Sequence, residues 1–189
     1  MLSLPDIRRD IETHLMEGAA NRKSAFHCPV VVTGDADGRI MVLRDFDESA
    51  WTLRFHTDVR SPKTTIIGED QRVGVVFYDR DAALQVRVRG TGRIEAKGEH
   101  ADVAWETSSN FARRCYLGEG PGSRTDQPSS GLPEWIEGKQ PTDEQVAPAR
   151  PNFAILRVEM DEADWYSLSN DGHRRALIRR NGKDTWLTP

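Results

Sequence analysis

The sequence predicts a mainly β protein with a few short flanking helices, folded as a closed or nearly closed antiparallel barrel. Three observations point there. About seven segments have the composition or alternation of strands, most of the links between them are short turns rich in Asp, Asn and Gly, and only two or three stretches carry helical spacing. A parallel sheet would need a crossover helix between successive strands, and the helices are too few.

Residues 3 to 20 place Ile7, Ile11 and Leu15 four apart, which predicts a short helix with one apolar stripe; Ser3 suits its cap, with Asp6 three residues on and Pro5 in the first turn. PVVVT at 29 to 33, the DADG turn and RIMVLR at 39 to 44 predict two antiparallel strands. After a second turn at 45 to 50, residues 51 to 57 alternate Trp51, Leu53, Phe55 and Thr57 against Thr52, Arg54 and His56, the pattern of a half-buried strand. Ser61, Pro62 and Gly68 then mark the cap, first turn and exit of a short helix. Residues 72 to 78 and 83 to 96 predict two more strands around the turn DRDA.

Helical spacing returns at 99 to 117, anchored on Val103, Trp105, Phe111 and Tyr116, with a break expected near Ser108. Between 118 and 152 lie 11 of the chain's 25 Gly and Pro residues, a density that predicts an excursion from the core with one helical turn near Asp143. Strand patterns follow at 153 to 160, 163 to 169, 173 to 180 and 184 to 188, the last three joined by the hairpin turns NDG and NGK.

A length of 189 residues suits one domain, and 37% apolar with 30% charged residues suits a packed core. The net charge of −4 provides no cationic field for nucleic acid or anionic lipid, so the arginine runs at 87 to 93 and 173 to 180 read as solvated barrel faces. No apolar run approaches the roughly 20 residues of a membrane helix, and acids stand in MLSLPDIRRDIE where a signal peptide would be apolar; the reading is cytoplasmic, with no membrane partner. Two cysteines, Cys28 and Cys115, make no disulfide framework and read as reduced, half-buried thiols. Cys115 beside Arg113 and Arg114 reads either as a reactive thiol or as a structural one on a buried helix face. The five histidines show no metal-ligand spacing, and neither a GxSxG elbow nor a Walker loop occurs; GEGPG at 118 to 122 lacks the strand and helix that a dinucleotide loop needs.

The stretch from 39 to 63 is where chemistry is expected. It combines Arg39, Arg44, Arg60, Ser61 and Lys63 with a helix start whose free amides suit a phosphate. On charge and spacing alone the same residues also read as solvated cations and a helix cap.

RIMVLRDFDESAWTLRFHTDVRSPK, with RVGVVFY and LQVRVRGTGRIE after it, resembles the flavin-binding core of the pyridoxine (pyridoxamine) 5'-phosphate oxidases over roughly residues 25 to 117. The resemblance implies a split antiparallel β-barrel that binds flavin mononucleotide (FMN) at a homodimer interface, one such domain over 1–189, and redox chemistry that belongs to the cofactor. By its motifs, the family's first flavin strand falls on Arg39, Ile40, Met41, Val42, Leu43 and Arg44. Its Y-T pair falls on His56 and Thr57, its S-R-K turn on Ser61, Pro62 and Lys63, and its strand glutamine on Gln85. The ending WYSLSNDGHRRALIRR followed by WLTP adds Trp165 and Arg175 as flavin contacts from the partner subunit, and His173 toward substrate or the flavin edge. Trp165 reads equally as core filler.

Departures count as well. Asp171 stands where the family places a substrate-binding arginine, which reverses the charge facing a substrate phosphate and argues against vitamin B6 phosphates. Pro62 removes a cation of the turn, which Arg60 or Arg54 would have to supply; His56 replaces a tyrosine and would cover or tune the flavin. Gln127, Ser129 and Ser130 in QPSSG are counterparts of another flavin contact across the excursion, which itself reads as a dimer arm, a lid holding Trp135 and Ile136, or a plain surface loop. The functional expectation is a flavin-dependent oxidoreductase acting on a small molecule; a non-catalytic flavin carrier is the alternative.

Overall fold

The computed structural model describes residues 2–189. Helix α1 (Leu4–Ala20) begins as expected at Ser3, whose side chain accepts from the Asp6 N–H while the Asp6 carboxylate accepts from the Ser3 N–H. Ile7, Ile11 and Leu15 are fully buried, so the spacing of four marks the face laid on the barrel.

The strands are β1 (Val30–Thr33), β2 (Gly38–Ile40), β3 (Leu43–Asp47), β4 (Thr52–Asp58), β5 (Arg72–Asp79), β6 (Leu84–Glu95), β7 (Phe153–Ser167), β8 (Arg174–Arg179) and β9 (Thr185–Leu187). Their order is β2-β1-β5-β6-β7-β4-β3, with β8 beside the second half of β7 and β9 beside β8, and all these pairings are antiparallel. β7 serves two neighbours along one edge: Phe153–Glu159 pair with β4, and Glu162–Ser167 with β8.

The two ends of this order, β2 and β3, are consecutive in the chain and joined only by Met41 and Val42. Three Cα steps span at most about 11 Å, whereas seven strands laid flat would set their outer edges about 29 Å apart. The sheet must therefore curl until its edges nearly meet, and the gap that remains is a seam. The result is a curled, split half-barrel with flanking helices. Inside it, β-strand residues such as Val31, Phe55, Val75, Phe77, Val86 and Leu156 pack with the α1 stripe.

RIMVLR is thus not one strand. It breaks at residues 41–42, because β2 bonds to β1 while β3 turns away to bond to β4. Conversely, 153 to 169 is not two strands: Asp161, read as part of a break, is an extra residue in the continuous β7, opposite the register shift at Arg89/Gly90. Gly90 is required there, since a Cβ would lie 2.2 Å from the Glu159 carbonyl oxygen.

Helix α2 (Pro62–Glu69) follows β4. The expected helix at 99 to 117 is broken near Ser108, into α3 (Glu99–Glu106) and α4 (Asn110–Arg113) with a 3-10 turn at Arg114–Tyr116. Trp105 joins Phe153 and Ile155 in a second apolar cluster, with Tyr116 packed against it, while Val103 and Phe111 are half exposed and anchor nothing in the core. The excursion has the expected short helix, α5 (Asp143–Val146); Ile136 is buried and Trp135 is half exposed. Both cysteines are exposed, which removes the buried-face reading of Cys115. No helix among the described residues is long and apolar enough to cross a membrane.

Candidate cofactor-binding site

A cavity of about 330 Å³ opens at the seam. The end of β2 and the link supply Arg39, Ile40, Met41 and Val42; β3 supplies Arg44, β4 supplies His56, Thr57 and Asp58, and α2 supplies Lys63. The far wall is Cys115, Tyr116 and Pro121, where the chain enters the excursion.

Arg44 is the unusual member. Its side chain is half-buried, its Nε is wholly buried without a partner, and no protein acceptor or carboxylate engages its guanidinium among the described residues. A guanidinium carries five donors and cannot shed its charge, so an arginine so placed lacks an anion. Arg39, by contrast, is committed to Asp37, to Thr33 Oγ1 at 3.0 Å and to the Val31 carbonyl at 3.3 Å. Lys63 Nζ donates to Ser61 Oγ at 2.7 Å, and burial, with Arg39 nearby, holds its pKa below the usual lysine value. Ser61 is buried at the start of α2, but its side chain caps no helix amide. Two cations therefore line the cavity with no carboxylate within ion-pair distance, Arg44 and Lys63, and two positive charges match a phosphate dianion.

His56 lies edge-on to Phe153, with ring centroids 5.0 Å apart. Burial, reinforced by Arg44 and Arg54, pushes its pKa down to about 3, so the ring is neutral at physiological pH; its Nε2 is buried without a partner. Tyr116 is shifted the other way, because burial favours the neutral phenol.

The structure divides the expected site residues into two groups. Arg39, Ile40, Met41, Val42, Arg44, His56, Thr57 and Lys63 line the seam cavity, with Ser61 bonded to Lys63 and Pro62 in the first turn of α2. Leu43 is fully buried, its side chain in the core. Gln85 lies on β6 between Tyr78 and Tyr166, away from the seam edges. Trp165 is buried in its own chain, and its Nε1 donates to Asp10 Oδ2 at 2.7 Å, as the core-filler reading expects. Arg175 gives two bonds, 2.9 and 2.8 Å, to the buried Asp164. His173 Nδ1 is 3.2 Å from the Tyr166 hydroxyl and borders a separate cavity with Arg175 and Trp186; Asp171 is exposed in the adjoining turn.

Neither proposed substitute for the missing turn cation is available. Arg54 is 3.4 Å from Asp45 and faces another cavity, and Arg60 is clamped by Asp58. Ser129 and Ser130 bond the amides of their own loop, to Gly131 and Leu132. The sequence did not point to the lining by Asp58, Cys115, Tyr116 and Pro121: Tyr116 read as a helix anchor and Cys115 as a thiol beside two arginines, neither of them as part of this cavity.

Residues 9–96 match the family model for the FMN-binding domain of pyridoxamine 5'-phosphate oxidase. A curated pyridoxine/pyridoxamine 5'-phosphate oxidase of Rubrobacter xylanophilus is 28% identical over 162 residues, covering 81% of this chain and 71% of that protein. One from Allorhizobium ampelinum is 29% identical over 100 residues, 51% of this chain, and the match spans about half (47%) of that relative's length. Among solved structures, a pyridoxamine 5'-phosphate oxidase-related, FMN-binding protein of Nostoc punctiforme shares the fold with a TM-score of 0.72 at 22% identity, over 96% of this chain and 97% of the other. The matched segment contains every basic residue of the seam cavity, and Arg44, without a protein partner, together with Lys63 fits the phosphate of FMN. Over residues 9–96 the chain thus resembles the FMN-binding domain of the pyridoxamine 5'-phosphate oxidases, its fold is that of split-barrel FMN-binding proteins, and FMN is the cofactor this domain takes.

Proposed function

We propose that this protein is an FMN-dependent oxidoreductase, an oxidase or reductase of a small molecule, that works as a homodimer. The observation that carries the reading is Arg44, a half-buried guanidinium with no protein partner at the mouth of a basic seam. Bound FMN supplies the two-electron redox chemistry. Arg44 and Lys63 hold the phosphate, Ser61 orients the lysine, and Arg39, fixed by Asp37, adds positive potential behind them. Neutral His56 and the Tyr116–Pro121 wall exclude water from one side. Gln85, His173 and Arg175 do not line the seam cavity of their own chain. A second copy that brings its β8 end to the seam supplies the contacts they would make, which is the reason for proposing the dimer.

Asp171, exposed in the turn before His173, stands where the resembling motif carries a substrate-binding arginine, so vitamin B6 phosphates should show little or no turnover. The test is the visible spectrum of freshly purified protein, identification of the released chromophore, and re-oxidation after chemical reduction in the presence of oxygen or candidate acceptors. A yellow protein that oxidises or reduces no small molecule in a broad panel is a flavin carrier. A colourless protein that takes up no added FMN refutes both readings.

A further inference from the structure

Arg60 is the basic residue closest in sequence to the start of α2 that does not line the seam cavity. Its Nε and Nη2 bond the two carboxylate oxygens of Asp58, at 2.9 and 2.6 Å, and its backbone N–H donates to Asp58 Oδ1 at 2.8 Å. Asp58 is 6% exposed, so this fork is fixed at its base. The remaining nitrogen, Nη1, donates to the Gly118 carbonyl at 2.9 Å, 58 residues away. From there the chain runs past Gly120, where an added Cβ would lie 3.4 Å from Arg60 Cβ, through the wall residue Pro121, to Gly122, packed against Pro62. The other ties of this wall are the Asn152 amide to the Tyr116 carbonyl, at 2.8 Å, and the Glu119 N–H to the Gly131 carbonyl, at 2.9 Å.

We infer that Arg60 is a positioning residue: buttressed by Asp58, it holds residues 116–121 as the outer wall of the cofactor cavity and makes no contact with the phosphate. An arginine suits this task because its planar fork can take both carboxylate oxygens and still offer a nitrogen on the opposite side. The consequence for flavin rests on FMN occupying the seam. Without the strut the wall opens, and flavin leaves faster whatever its tail.

The experiment compares wild type with Arg60→Ala, Arg60→Lys and Asp58→Asn. Amide hydrogen exchange across residues 117–122, measured without added flavin, should speed up about tenfold or more in Arg60→Ala and in Asp58→Asn, since each loses a charge-assisted bond of the strut. Dissociation of FMN and of riboflavin should both accelerate, by about tenfold to a hundredfold and by similar factors, in Arg60→Ala. Arg60→Lys, which keeps the charge but not the fork, should behave like Arg60→Ala. A loss confined to FMN, with riboflavin unaffected and rescue by Arg60→Lys, would make Arg60 a phosphate ligand and overturn the inference. Unchanged exchange in the wall would overturn it as well. If wild type binds no flavin, the cofactor reading fails while the exchange measurement still judges the strut; if Arg60→Ala does not fold, Asp58→Asn and Arg60→Lys decide.

Discussion

Replacing Arg44 by methionine should move the free and loaded proteins in opposite directions. The wild-type side chain keeps a buried Nε without a partner and a guanidinium without an anion, and an unsatisfied buried donor costs on the order of 1 to 3 kcal/mol. Arg44→Met keeps an unbranched apolar stem and removes that cost, so the flavin-free variant should gain at least about 1 kcal/mol. In a chain of this size that raises Tm by roughly 2 to 4 °C. The loaded protein should lose the charge-assisted bonds from Arg44 to the phosphate, each worth about 1.5 to 3 kcal/mol, which weakens FMN binding by about tenfold to a hundredfold or more. Riboflavin, which lacks the phosphate, should bind both proteins alike. Differential scanning fluorimetry with and without flavin, paired with fluorescence titration of FMN and riboflavin, reads all of these quantities. A flavin-free variant that melts lower than wild type, or FMN affinity that does not change, refutes the account of Arg44 as a residue held ready for an anion.

Three further outcomes follow from the same geometry. His56 has a folded pKa near 3 against about 6.5 when unfolded, so the unfolded chain binds the extra proton first; the contribution of His56 to stability is complete above about pH 6.5 and drains away as pH falls toward 3. His56→Gln should flatten that part of the pH–stability curve, and a ring that titrates near pH 6 by NMR would contradict the burial argument. Asp164→Asn should cost about 1.5 to 3 kcal/mol in chemical denaturation, because it strips a buried carboxylate of its charge-assisted bonds to Arg87 and Arg175, which are left partly solvated; an effect under about 0.5 kcal/mol would show the triad to be ornamental. Trp165→Phe should lower stability by about 1 kcal/mol or more through loss of the bond to Asp10, with FMN affinity unchanged; a tenfold loss of affinity would return Trp165 to the flavin site.

Much of the fold was legible because local chemistry and tertiary structure agree. Ser3 and Asp6 cap α1, the Ile7–Ile11–Leu15 stripe packs inward, and the Asn/Asp/Gly turns sit where strands reverse. The strand breaks were misread for a common reason. Met41 and Val42 are as apolar as the strands around them, and nothing in their composition announces that β2 and β3 belong to opposite edges of the sheet. Asp161 looks like a turn residue, yet a bulge absorbs it because β6 holds β7 straight on the other side. The basic half of the site was legible through the resemblance of RIMVLR and the Ser61–Lys63 turn to a flavin-binding pattern, because on charge and spacing alone the same residues also read as solvated cations. Its wall was not, because Cys115, Tyr116 and Pro121 reach it through the Arg60–Gly118 and Asn152–Tyr116 bonds, which join residues far apart in sequence. Trp165 was ambiguous from sequence for a related reason, since its partner Asp10 lies on α1, 155 residues away.

The position of the cavity is itself a consequence of the topology. A fully closed barrel has no free strand edges, but here β2 and β3 stop short of pairing with each other, and each presents an unpaired edge to the seam. Arg39 and Arg44 stand on those two edges, and Lys63 on the helix behind them, so the gap combines free backbone groups with surplus positive charge. A ligand that pairs a flat, hydrogen-bonding ring with a dianionic tail supplies what both features lack, and it does so only in the folded chain, because unfolding separates the two edges. Cofactor binding is therefore linked to folding. FMN at a hundred times its Kd should add about 2.7 kcal/mol to stability, a rise in Tm of roughly 5 to 11 °C. The added protection should be concentrated in β2, β3 and α2 when followed by hydrogen exchange. Protection spread evenly over β8 and β9, with the seam unchanged, would place the ligand elsewhere and break the link between the split in the barrel and its function.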